Sequence, residues 1–146
     1  MKNKFGGFLI LISLMPLSAL AHSFKCRSGN VEIPFGPDQK ESKEEIICMT
    51  TEPLRILSKN CLEGSCEAMT KPYPLSQDQH KISAIGTPGA NLCTRLGGHA
   101  QVVNFLVDGK TTELDRCLFK DGSFMDLGSF WKFMTAEPDK RAEFLR

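Results

Sequence analysis

The chain has no strongly basic block, no second long apolar run and no cysteine pair of the C-x2-C type. Each absence closes a class. Its last charged run, Asp139-Lys140-Arg141, offers no phosphate-binding stripe, which argues against nucleic acid as the main partner. After the first twenty residues no apolar run is long enough for a membrane helix, so no membrane span is expected. Structural zinc sites use C-x2-C or Cys/His pairs at short spacing. Here the closest pair, Cys61 and Cys66, is C-x4-C with no histidine beside it. A G-x-S-x-G nucleophile elbow is also missing, as is any internal repeat or low-complexity tract. Histidines number only three, His22, His80 and His99.

What is present begins with a leader. Lys2 and Lys4 precede an apolar run from Phe8 to Leu20, and Ala19-Leu20-Ala21 forms an A-x-A cleavage pattern. This is the pattern of a secretory signal peptide over 1–21, which predicts a periplasmic or secreted protein cleaved near Ala21. The remaining 125 of 146 residues carry 16 basic and 17 acidic side chains. That is enough chain for one modest domain or two very small ones.

All six cysteines, Cys26, Cys48, Cys61, Cys66, Cys93 and Cys117, follow the cleavage site. An even count in a small exported protein reads as three disulfides. Glu63-Gly64 resembles a two-residue hairpin turn, which would set Cys61 opposite Cys66 at the next non-hydrogen-bonded position. A Cys93–Cys117 bridge would tie a helix to a strand, and Cys26–Cys48 remains by elimination.

In chain order, Phe24 to Arg27 can start a strand and Ser28-Gly29-Asn30 signals a turn. Pro34 to Lys43 is polar and reads as loop. Ile46 to Thr51 is β-branched and fits a strand, with a weaker strand over Leu54–Ser58. Ala68 to Tyr73 would extend the hairpin over Cys61–Cys66. Residues 76–81 (SQDQHK) read as a linker, so 22–81 forms a β-rich amino-terminal region and 82–146 a second unit. There, Thr87 and Pro88 suit a helix start and Gly97 a helix stop. Asp108-Gly109 marks a hairpin whose register is open. An even loop sets Leu114 with Val103 and Phe105, whereas a bulged loop sets Cys117 and Phe119 there. Leu127, Phe130, Trp131 and Met134 make one helical stripe, with Asp126 as cap and Met125–Phe130 as a hydrophobic staple. The predicted fold class is therefore α+β: a small disulfide-stapled helix–β-hairpin–strand/turn–helix module behind a β-rich part.

The order C-x3-G-G, D-G, C-x-F-x-D-G-S and an aromatic helix resembles a family of small bacterial exported domains of unknown function, often labelled "putative hemolysin". The matching residues are Cys93, Gly97, Gly98, Cys117, Phe119, Asp121, Gly122, Ser123, Phe130 and Trp131, over about residues 87–134. The resemblance implies a helix, a hairpin, a D-G-[ST] turn and a closing helix. The further cysteine that such domains commonly carry after the turn is absent.

Chemistry on the residues is thin. A free amino-terminal His22 with His80 or His99 would resemble the copper-binding terminus of lytic polysaccharide monooxygenases, but a copper site needs several convergent ligands. Ser123 with His99 and Asp115 or Asp121 could be drawn as a hydrolytic triad, yet Asp121 and Ser123 are better explained as turn formers. Phe124, Phe133 and Tyr73 lie off the core patterns and could anchor a contact patch. The sequence thus reads as an exported, non-enzymatic binding protein with no cofactor and an unidentified protein partner. The alternatives are a small envelope hydrolase, a metal-binding protein, or a protease inhibitor that uses the Cys61–Cys66 tip.

Overall fold

A computed structural model describes residues 23–51, 54–70 and 86–145 of the chain. The leader, the linker over 76–81 and the boundary at 81 lie outside the described residues. Six antiparallel strands close a barrel: β1 (Lys25–Pro34), β2 (Lys40–Thr51), β3 (Leu54–Ser58), β4 (His99–Val107), β5 (Lys110–Leu118) and β6 (Phe124–Asp126). Around the barrel the order is β1-β2-β3-β6-β5-β4. Short helices α1 (Lys59–Leu62), α2 (Glu67–Thr70), α3 (Pro88–Arg95), α4 (Leu127–Thr135) and α5 (Pro138–Arg141), with a final 3-10 turn (Ala142–Leu145), complete the chain.

This corrects the predicted α+β class. The hairpin β4–β5 does not belong to a helix–hairpin–helix module. It forms two of six staves, joined to β1 through Asn30–Glu32 and to β6 through Arg116–Leu118. Barrel closure rests on pairings such as Asn30 with Leu106 and Leu57 with Met125, far apart in sequence, which local periodicity does not reveal.

Two hairpins build most of the wall. In β4–β5, Asp108 and Gly109 both take positive φ (49° and 75°), the backbone that a two-residue turn matched to strand twist requires. The even register follows: Val103 faces Leu114, and Phe105 faces Thr112. In β1–β2 the sequence misleads. Ser28-Gly29-Asn30 is mid-strand rather than a turn, and Lys40–Lys43, the end of the predicted loop, is strand. Gly29 is there for space. A Cβ at this position would stand 2.6 Å from the Phe105 ring and 2.7 Å from the Leu106 carbonyl. The polar run Lys40–Glu44 is exposed strand, so apolar content gave no signal.

Alternation splits the core into two layers. Val31, Ile47, Ile56, Val103, Phe105, Leu114 and Phe124 fill the barrel. Six strands enclose too narrow a space for anything but side chains. Cys48, Leu57, Cys117 and Met125 sit on the outer face of the β2-β3-β6-β5 wall, where the helices cover them with Leu92, Phe130 and Met134. In α3, Thr87 Oγ1 caps the helix by accepting from the Ala90 amide. Gly97 leaves it at φ 82°. In α4, Asp126 caps by accepting from the Ser129 amide at 2.7 Å. Its buried face carries Leu127, Phe130 and Met134, but Phe133 joins it while Trp131 is only partly buried. Phe130 meets Phe119 at 5.8 Å between centroids.

The predicted hairpin over 61–66 is also corrected. Lys59–Leu62 and Glu67–Thr70 are single helical turns on either side of the Glu63-Gly64 turn, and Ala68 starts no strand. Two anchors hold them. Ser58 Oγ accepts from the Phe124 amide at 3.0 Å, and Asp121 accepts from the Glu67 amide at 2.7 Å.

Candidate functional site

One end of the barrel interior is polar. Arg116 lies on the inward face of β5 and its side chain is 0 % exposed. Its Nη1 donates to Glu45 Oε2 at 2.5 Å and its Nη2 to Glu45 Oε1 at 3.3 Å. Nε and Nη2 also donate to Gln101 Oε1 at 3.3 and 3.2 Å. The guanidinium stands 4.8 Å from the Phe124 ring centroid. Lys43 Nζ adds a second cation 2.7 Å from Glu45 Oε1. Burial alone would raise the Glu45 carboxyl, but hydrogen bonds and charge from Arg116 and Lys43 outweigh it and hold it below the ordinary glutamate range. A fork that matches a carboxylate is the specific property of arginine. The network joins β2, β4 and β5 from inside.

Outside the same strands, much of the β4-β1-β2 wall is exposed; α3 reaches β4 beside Val102, where Thr87 and Ala90 line one pocket with it. Its outward positions are Val102, Asn104 and Leu106 on β4, Ser28 and Asn30 on β1, and Glu44 and Ile46 on β2. On β5 the partners of the β4 residues are Asp115, Glu113 and Thr111. Val102 is 53 %, Ile46 46 % and Leu106 36 % exposed. Apolar side chains on an open sheet face, rimmed by carboxylates, have the composition of an interface core and rim. Phe35, 65 % exposed, adds an aromatic at the tip of the β1–β2 hairpin.

The six cysteines form three pairs within bonding distance, Cys26–Cys48, Cys61–Cys66 and Cys93–Cys117. The proposed contact aromatics are placed elsewhere. Phe124 is 2 % exposed, inside the barrel, and Phe133 is 4 % exposed against Phe144. Tyr73 lies outside the described residues. Phe124 is core because it points inward from β6, and Phe133 because it lies on the buried face of α4, where the predicted stripe had Trp131 instead.

The imagined triad does not assemble as drawn. Ser123 is 0 % exposed. Its hydroxyl donates to Asp121 Oδ1 at 2.6 Å and accepts from the Ala68 amide at 3.2 Å. The first bond stays within the β5–β6 turn, and the second pins that turn to α2. Burial tends to raise the Asp121 carboxyl, yet hydrogen bonds from the Ser123 hydroxyl and from the Glu67 and Ser123 amides lower it below the ordinary aspartate range. His99 is an exposed residue at the start of β4, opposite Leu118. Among the described residues no three His, Cys, Asp or Glu side chains gather into a group that could hold a metal ion. His22 and His80 lie outside those residues. The same limit applies to membranes: no helix among the described residues is long and apolar enough to cross one.

No family model matches the chain, and neither a curated protein nor a solved structure matches it. The wall residues left no mark as site candidates in the sequence, although a signal existed. Val102-Val103-Asn104-Phe105-Leu106-Val107 is apolar at both parities. A strand with one solvated face reads as an alternation. A strand apolar on both faces, with only one buried by its own fold, signals a second partner. Ile46-Ile47 repeats the pattern on β2.

Proposed function

We propose that this protein is an exported, disulfide-stapled binding protein of the bacterial envelope or secretome, and that it docks a protein partner on the β4-β1-β2 wall. The observation that carries the reading is the exposure of the apolar side chains Val102, Leu106 and Ile46 on one outer face of the sheet. The rim fixes the partner's chemistry. Glu113 and Asp115 are exposed and, among the described residues, carry no ion pair, so the partner presents apolar side chains flanked by Lys or Arg. Three disulfides suit an oxidising compartment, and a small stapled barrel holds such a face rigid without a large core. The Glu45–Arg116–Gln101 network backs the same wall and restrains its strands.

Photo-crosslinking tests the reading. A crosslinking side chain at Val102 or at Leu106 gives one shared protein adduct in envelope extract, while the same group at Lys120, on the β5–β6 turn, does not. Glu113→Lys with Asp115→Lys lowers the yield roughly tenfold, as expected for reversed rim charge. Equal adducts from Lys120, or none from Val102 and Leu106, would overturn it.

A further inference from the structure

A second site is built away from the wall, where β3, the first turn of α4 and the carboxy-terminal 3-10 turn enclose a cavity of about 180 Å³. We propose that it binds a small oxyanion, a phosphate or carboxylate group. Four features converge on it. Arg55 is fixed in its wall: the guanidinium lies 4.5 Å from the Phe144 ring centroid and Nη1 donates to the Phe144 carbonyl. Its remaining donors are left for the cavity. Lys132, exposed on α4, is the second cation of the lining and has no ion pair among the described residues.

The third feature is the start of α4, a nine-residue helix whose amino-terminal amides favour negative charge. Asp126 stands there too, but both of its oxygens are engaged. Oδ1 accepts from the Ser129 amide at 2.7 Å and Oδ2 from the Ile56 amide at 2.8 Å. Gly128 follows without a side chain, so the first turn stays open on the cavity side. The fourth feature points to a ligand by itself. Ser129 lines the cavity at 4 % exposure, and its hydroxyl has no hydrogen-bond partner among the described residues. A buried hydroxyl left without a partner is costly, and an oxyanion would accept from it. Two cations against one occupied carboxylate leave the lining net positive. Leu54, 61 % exposed at the rim, leaves room for an apolar stem behind the anionic group.

The test uses the full oxidised protein and amide NMR at constant ionic strength. Titration with inorganic phosphate shifts the Gly128 and Ser129 amides saturably, whereas chloride at matched ionic strength does not. Acetate and a phosphate monoester then separate the two sources of the oxyanion. Arg55→Gln weakens binding roughly tenfold, the loss of a charge-assisted contact. Lys132→Gln, an exposed position that leaves packing alone, weakens it several-fold. Ser129→Ala weakens it without lowering stability, since the hydroxyl holds nothing in the fold. A linear, non-saturating shift would overturn the site, as would Lys132→Gln binding like the parent protein.

Discussion

Replacement of Glu45 by glutamine tests the barrel interior most directly. The change keeps shape and one acceptor but removes the one carboxylate that, among the described residues, holds Arg116, whose side chain is 0 % exposed. A guanidinium left unpaired in a buried site costs about 3–5 kcal/mol. For a chain of this size that corresponds to a fall in Tm on the order of 10–20 °C. The double replacement Glu45→Gln with Arg116→Met removes the stranded charge and fills its volume, so it is more stable than Glu45→Gln alone. Urea melts followed by Trp131, the single tryptophan, measure both. Acidification checks the parent protein. The Glu45 carboxyl is lowered in the fold, so its contribution is complete above the unfolded value of about 4.3 and is lost as pH falls through the lower folded value. The reasoning fails if Glu45→Gln melts within about 1 kcal/mol of the parent, or if the double variant is the weaker of the two.

Three other outcomes follow from packing and charge. Cys93→Ala with Cys117→Ala opens a bridge of sequence separation 24 and lowers stability by about 3 kcal/mol in the same urea assay. Gly98→Ala costs about 1–3 kcal/mol, because its Cβ would stand 2.5 Å from Cys117 Sγ and 2.9 Å from Cys93 Sγ. That cost shrinks in the background without the disulfide, which a double-mutant cycle reads directly. Asp121→Asn flattens the acid limb of the stability curve. The parent carboxyl is lowered, so its support is present above about pH 3.9 and fades as pH falls through the folded value.

Local chemistry was legible where one or two residues decide the backbone. Thr87, Gly97, Asp108-Gly109 and Asp126 each perform the cap or turn that their side chains specify. The three cysteine pairs were legible as well. The barrel was not, because its seams join residues such as Leu57 and Met125 whose proximity no local pattern encodes. Gly29 shows why: a glycine flanked by Ser28 and Asn30 signals a turn, and only the ring of Phe105 explains it as strand. Arg116 was hidden in the same way. In Leu114-Asp115-Arg116 it looks like one more solvent charge, and its burial depends on Glu45 from a strand seventy-one residues away. The wall was half legible, since the two-faced apolar run on β4 was visible but its uncovered side was not.

The cysteines pair consecutively along the chain: first with second, third with fourth, fifth with sixth. Their loops neither overlap nor enclose one another. A chain oxidised as it emerges amino terminus first therefore reaches the native set simply by joining each new thiol to the one before it, leaving an isomerase nothing to reshuffle. The same arrangement means that no covalent bridge crosses from residues 23–70 to residues 86–145. Closure between them is non-covalent: strand pairing, the shared core, and side-chain bonds such as Glu45–Arg116, Ser58–Phe124 and Asp126–Ile56 hold it.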